Sequence, residues 1–130
     1  MNITHIAIWT NDLERLRDFY CTYFQATSNK KYTNPVRKFE SYILSFKNGG
    51  CCLELMYLPN LTNSVHQEAK NRTGLAHIAF SVGSNEAVDA MTRQFREAGY
   101  KVLSEPRLTG DGFYESVIAD PDGNMVEITI

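Results

Sequence analysis

The sequence predicts an α+β protein made of two copies of one βαβββ unit, and three observations carry that expectation. Ile3-Thr4-His5-Ile6-Ala7 matches Leu75-Ala76-His77-Ile78-Ala79 at an offset of 72 residues. Leu53-Glu54-Leu55 matches Val126-Glu127-Ile128 at an offset of 73. Between these matched segments each half carries a helical periodicity followed by strand-like runs, the mark of an internal duplication. Each half thus opens on an apolar strand with a His and closes on an apolar strand with a Glu.

The elements follow in order. After the first strand, Asn11 stands as the expected N-cap, with Glu14 three residues on in the manner of a capping box. Leu13, Leu16, Tyr20, Tyr23 and Phe24 then recur at helical spacing. Strands are expected around 26–34, 38–46 and 51–57, the last after the turn Asn48-Gly49-Gly50. In the second half Ser84 or Asn85 caps a helix whose inner face is Val88, Met91, Phe95 and Ala98, and Gly99 stops it. Strands are expected around 100–107, 112–119 and 124–130, the last after Pro121-Asp122-Gly123. The organisation is one domain over 1–130, with module one at 1–57, a polar linker at 58–73 and module two at 74–130. The linker has room for a short helix around 65–70.

Bulk properties exclude several classes of function. The 130 residues are 43% hydrophobic and 22% charged, a globular composition far from the disordered class. A formal charge of −2 leaves no electrostatic footprint for nucleic acid. No apolar run is long enough to cross a bilayer, so no membrane partner is expected. The N-terminus lacks the charged and apolar regions of a signal peptide. Three cysteines, two of them adjacent at Cys51 and Cys52, make no disulfide framework. The expected setting is the reducing cytoplasm.

Strand parity then gathers the chemistry. Side chains alternate between the faces of a strand. Ile6 and Ile8 oppose His5, Ala7 and Trp9; Leu53 and Leu55 oppose Cys52, Glu54 and Met56. Ile78 and Phe80 oppose His77 and Ala79; Val126 and Ile128 oppose Met125, Glu127 and Thr129. In every case the aliphatic set is free to pack on a helix while the His or Glu faces the other way. A sheet cupped on that second face would enclose two imidazoles and two carboxylates. Burying two carboxylates without a cation is costly, because each loses hydration and they repel each other. A divalent metal removes both costs, and mixed nitrogen and oxygen donors suit Ni²⁺, Zn²⁺, Co²⁺, Mn²⁺ or Fe²⁺. The expected metal ligands are His5, Glu54, His77 and Glu127.

These residues resemble the vicinal-oxygen-chelate superfamily, which includes glyoxalase I, fosfomycin-resistance enzymes, extradiol dioxygenases and an epimerase. The resemblance spans nearly the whole chain. Its carriers are Thr4-His5-Ile6-Ala7-Ile8, Leu16-Arg17-Asp18-Phe19-Tyr20, Gly74-Leu75-Ala76-His77-Ile78-Ala79-Phe80 and Asp120-Pro121-Asp122-Gly123-Asn124-Met125-Val126-Glu127-Ile128. Members with two His and one Glu correspond to His5, His77 and Glu127, and Glu54 stands where glyoxalase I adds a carboxylate. The resemblance therefore implies a lactoylglutathione lyase-like enzyme, with nickel or zinc foremost among its metals. Its reaction would isomerise a hemithioacetal of a 2-oxoaldehyde such as methylglyoxal to a 2-hydroxyacyl thioester. It implies Glu127 as the catalytic base with Glu54 assisting, a small-molecule substrate and a homodimer. The alternatives are another metal-dependent enzyme of the superfamily (an epimerase, a thiol transferase or a dioxygenase) or a non-catalytic resistance protein that binds a small molecule.

Two positions depart from the glutathione-dependent pattern. Trp9 stands where those members usually carry an Arg, and Leu58 where they tend to carry an Asn, with Asn60 out of register. Lys31, Arg37 or Lys38 would have to supply the carboxylate clamp instead. Trp9, Met56 and Tyr114 are the expected substrate-binding side chains, with Phe113 beside Tyr114 at the pocket mouth. The alternative for Trp9 is a core or rim position, and for Phe113 and Tyr114 it is packing within the strand. Cys52 shares the face of Glu54 and is read as a small strand residue.

Overall fold

The computed structural model describes residues 1–62 and 73–130, and the helix expected around 65–70 lies outside the described residues. The chain divides into two compact units, Met1–Ser64 and Val65–Ile130. The first contains β1 (His5–Trp9), α1 (Leu13–Phe24), β2 (Thr27–Ser28), β3 (Tyr32–Asn34), β4 (Phe39–Ser45) and β5 (Cys52–Tyr57). The second contains β6 (Ile78–Ser81), α2 (Asn85–Glu97), β7 (Val102–Leu108), β8 (Tyr114–Ala119) and β9 (Met125–Thr129). This is the α+β class expected, with each unit carrying its own mixed sheet.

The sheets share one topology. In the first unit the order is β1-β5-β4-β2, with β3 also on β4; in the second it is β6-β9-β8-β7. The opening and closing strands pair in parallel, β1 with β5 and β6 with β9, while the remaining pairs are antiparallel. Parallel neighbours need a crossover, and α1 and α2 lie within those crossovers. The aliphatic faces make the cores: Leu16, Leu44, Leu53 and Leu55 are buried in one unit, and Val88, Phe95, Ile118, Val126 and Ile128 in the other.

Several expectations are corrected in detail. The strand expected over 26–34 is two short pieces. Ser28 pairs with Leu44 but Tyr32 with Ser41, so one extra residue is accommodated between them. Asn29 fills the interruption: its side chain accepts from the Ile43 amide at 2.8 Å and its own amide donates to the Ile43 carbonyl at 3.1 Å. Irregular register also marks β7, between Val102 and Ser104 and between Ser104 and Arg107, although that strand stays continuous. The N-cap of α1 is Asp12 rather than Asn11, its carboxylate accepting from the Arg15 amide at 3.0 Å. Phe19 joins Leu13, Leu16 and Tyr20 on the buried side, whereas Tyr23 and Phe24 are only half-buried. In α2, Ser84 is the cap, and Gly99 takes the left-handed conformation (φ 84°) just past the helix end. Ala98 is exposed, and Thr92 lies buried on the inner face instead.

Thr92 shows what makes a polar residue acceptable there. Its hydroxyl donates to the Val88 carbonyl at 2.7 Å, so the 2.6 Å contact with Ser116 has Ser116 as donor. Replacing Thr92 by Val keeps the shape and leaves the buried Ser116 hydroxyl without that acceptor. Thr92→Val should cost about 1–3 kcal/mol in chemical denaturation, and adding Ser116→Ala should recover part of the loss.

On the other unit, Glu14 joins α1 to the sheet through ion pairs with Lys31 and Arg17 and a hydrogen bond from the Tyr42 hydroxyl. The hydrogen bond from Lys31 foremost, then those groups' further pull, holds the Glu14 carboxyl below its ordinary value despite some burial. A depressed carboxylate stabilises the fold above the unfolded-state pKa and stops doing so as pH falls through the folded one. The site is half-exposed, so the contribution is at most about 1 kcal/mol. Glu14→Gln should therefore be less stable than the parent near neutral pH, with the difference vanishing on acidification below the carboxylate range in urea titrations.

Candidate metal centre

Each unit carries its candidate residues on its own parallel strand pair. In the first, Ala7 is the register partner of Glu54 and His5 the partner of Cys52. In the second, Ala79 is the partner of Glu127, and His77 immediately precedes β6. The sequence reading had placed His77 within its strand; the ladder begins one residue later, at Ile78. In both units the His therefore lies two residues before an alanine that faces a Glu. Each imidazole approaches, diagonally across the strand pair, the carboxylate whose register partner is that alanine.

The resulting distances are similar. His5 Nε2 lies 3.7 Å from Glu54 Oε2, and His77 Nε2 lies 3.4 Å from Glu127 Oε2. The imidazoles are 49% and 43% exposed and the carboxylates 21% and 15%, so each pair opens outward from a partly buried Glu. Both separations exceed a hydrogen bond. Two neighbouring donors on a six-coordinate cation, each about 2.1 Å from it, stand about 3 Å apart. A nitrogen and an oxygen at 3.4–3.7 Å thus fit adjacent ligand positions with a small adjustment. Among the described residues no group of three or more His, Cys, Asp or Glu side chains gathers at metal-binding distance. The structure brings His5 to Glu54 and His77 to Glu127, as two pairs in two units.

The other expected site residues divide. Trp9 and Met56 are register partners on the His5 and Glu54 face, two residues beyond Ala7 and Glu54. Tyr114 is not on the Glu127 face. Glu115 and Val117 of β8 are partners of Thr129 and Glu127, so Tyr114 projects the other way, towards α2. There its hydroxyl donates to Asp89 at 2.8 Å, and that bond is the leading reason its pKa is raised. Tyr114 is thus a strand-to-helix tie, and Phe113 is exposed before the strand. Lys31 does not offer a free clamp either: its ammonium is engaged by Glu14 and Glu40 on the α1 side. Arg37 and Lys38 lie exposed in the turn between β3 and β4.

Glu115 is a residue that sequence reasoning missed. It shares the face of Glu127 and is bound by Arg107 at 3.3 Å. Burial first, then the charge of Glu127, push its carboxyl above the ordinary value, with Arg107 opposing and a hydrogen bond to Glu127 reinforcing the rise. Its alternation with Val117, the residue facing Glu127, was the available signal.

Comparison with known proteins agrees with this fold. Residues 2–128 match the family model of the Glyoxalase/Bleomycin resistance protein/Dioxygenase superfamily. The chain is 33% identical over 129 residues to the uncharacterized protein YqjT of Bacillus subtilis, covering 95% of this chain and 94% of that one. Among solved structures it resembles a glyoxylase/bleomycin resistance protein/dioxygenase domain from Frankia (TM-score 0.81, 15% identity, covering 100% of this chain and 97% of that one). It also resembles the trypanothione-dependent glyoxalase I of Leishmania major (TM-score 0.76, 24% identity, 99% and 86% covered). Against glyoxalase I of Zea mays the TM-score is 0.77 at 23% identity, with 98% of this chain but 44% of that one covered. The chain thus spans less than half of the maize enzyme and nearly all of the Frankia domain. With the duplicated βαβββ architecture and a family match over almost its full length, the chain belongs to the Glyoxalase/Bleomycin resistance protein/Dioxygenase superfamily.

Proposed function

We propose that the chain is a metal-dependent lyase of the glyoxalase I kind, isomerising a hemithioacetal of a 2-oxoaldehyde to a 2-hydroxyacyl thioester. The observation that carries this reading is the repetition of one His–Glu pair in both units, at 3.7 and 3.4 Å. His5, Glu54, His77 and Glu127 together would hold a divalent metal, nickel or zinc foremost and cobalt, manganese or iron as alternatives. Such an ion would supply Lewis-acid stabilisation of the charge that develops on two vicinal oxygens.

The chain's own part is the proton. Isomerisation moves the hydrogen of the sulfur-bearing carbon to the neighbouring carbonyl carbon, and the hydroxyl proton from the first carbon's oxygen to the second's, with no atom gained or lost. Glu127, the more buried of the two carboxylates, takes the carbon-bound proton and returns it to the neighbouring carbon. Glu54 assists from the other pair. The imidazoles of His5 and His77 hold the geometry as nitrogen donors. The proposed working form is a cytoplasmic homodimer, and the substrate is a small molecule.

The first test is metal content. Purified protein should retain a stoichiometric divalent ion through mild dialysis, and Glu54→Gln should weaken its retention about tenfold or more. Parent protein without bound metal would overturn the site. The second test is turnover of methylglyoxal with a panel of thiols under Ni²⁺, Co²⁺ and Zn²⁺. Glu127→Gln should lower kcat by about 10²–10⁴-fold, and near-parental kcat in that variant would remove Glu127 as the base.

A further inference from the structure

The face that carries His5 and Glu54 also carries an aromatic row. Across four strands Trp9, Met56, Ser41 and Tyr32 are successive register partners, with Phe39 two residues along β4 on the same side. Trp9 and Phe39 meet edge to face with centroids 6.2 Å apart, and Tyr32 and Phe39 lie at 6.1 Å. Despite this mutual packing, Trp9 is 48% and Tyr32 53% exposed. Ser41, between them, is buried and small. The row begins two residues beyond Glu54, about 7 Å along the strand. A small molecule held at the His–Glu pair would reach it with a few bonds.

Charge decides what would lie there. From β1, β3, β4 and β5 this face receives the Glu54 carboxylate and, among the described residues, no Lys or Arg. Of the nearby cations, Lys31 and Arg17 are engaged on the opposite side by Glu14, Glu40 and Asp18, while Arg37 and Lys38 lie exposed in the turn between β3 and β4, off these strands. A carboxylate-bearing group would meet no counter-charge on this row, whereas a flat uncharged ring would meet two exposed aromatic side chains and a methionine.

We propose that the row of Trp9, Met56 and Tyr32 with Phe39 is the specificity surface of the site, taking an uncharged aromatic group on the part of the substrate remote from His5 and Glu54. This rests on the lyase reading for its chemistry but is tested by binding alone. Trp9 is the single tryptophan of the chain, so its emission reports on this row directly. The probes are two thioethers, benzyl methyl sulfide and S-methylglutathione, titrated into the metal-loaded protein while Trp9 fluorescence is followed. Benzyl methyl sulfide should change the emission saturably and bind at least about tenfold more tightly than S-methylglutathione. Tyr32→Ala and Phe39→Ala, both retaining Trp9, should weaken it several-fold, up to about tenfold. Tighter binding of S-methylglutathione, or unchanged binding in Tyr32→Ala, would overturn the proposal. So would a shift of Trp9 emission with protein concentration alone, which would assign the row to a second copy of the chain. If no thiol adduct of methylglyoxal is turned over, the lyase reading fails separately, and the titration still decides the aromatic surface.

Discussion

The parallel pairing of the first and last strand of each unit is the constraint on which the rest depends. Once β1 lies beside β5 in the register that sets Ala7 against Glu54, the alternation of side chains leaves no freedom. Leu53 and Leu55 must go to the helix side, and His5, Glu54, Trp9 and Met56 to the other. The same holds for β6 and β9. A slip of one residue in either pair would send the carboxylate into the core and the leucines or valines out. The cores and the candidate metal centre are therefore one decision, made by hydrophobic burial and inherited by the chemistry.

Much of this was legible in the sequence because a period of two is so strongly enforced by burial. His5, Glu54 and Glu127 could be assigned to a face from their apolar neighbours alone, and the duplication supported each assignment with a second instance. The capping of α2 by Ser84 and its stop at Gly99 were equally readable, since a side-chain oxygen and a left-handed residue have specific local jobs. The choice of Asp12 over Asn11 was not, because adjacent residues of similar capping ability differ only in where the preceding strand releases the chain.

Where alternation is interrupted, reading failed. The stretch from 26 to 34 contains an extra residue that Asn29 accommodates by binding Ile43 through both side chain and backbone, and nothing in its composition announces the break. Tyr114 was assigned to the pocket because it is aromatic and follows a glycine-rich turn. The ladder with β9 instead sends it to Asp89 and brings Glu115 to Glu127. Aromatic character was a poorer guide than parity counted from Val117. Parity gives the face of Trp9, and what it could not give is its company: Tyr32 and Phe39 reach the same face through β4, a relation that only the register of three strand pairs reveals.

Ala7 and Ala79 have a meaning of their own in this arrangement. Each is the register partner of the carboxylate that its unit's imidazole approaches, so the side chain at that position stands beside the His–Glu pair. A branched side chain at either position would crowd that pair while leaving both its members in the chain. Each His–Glu pair could thus be disturbed without deleting either of its members. It also means that a relative with every His and Glu in place, but a bulky residue at one of these alanines, would carry the sequence signature of both pairs without their geometry.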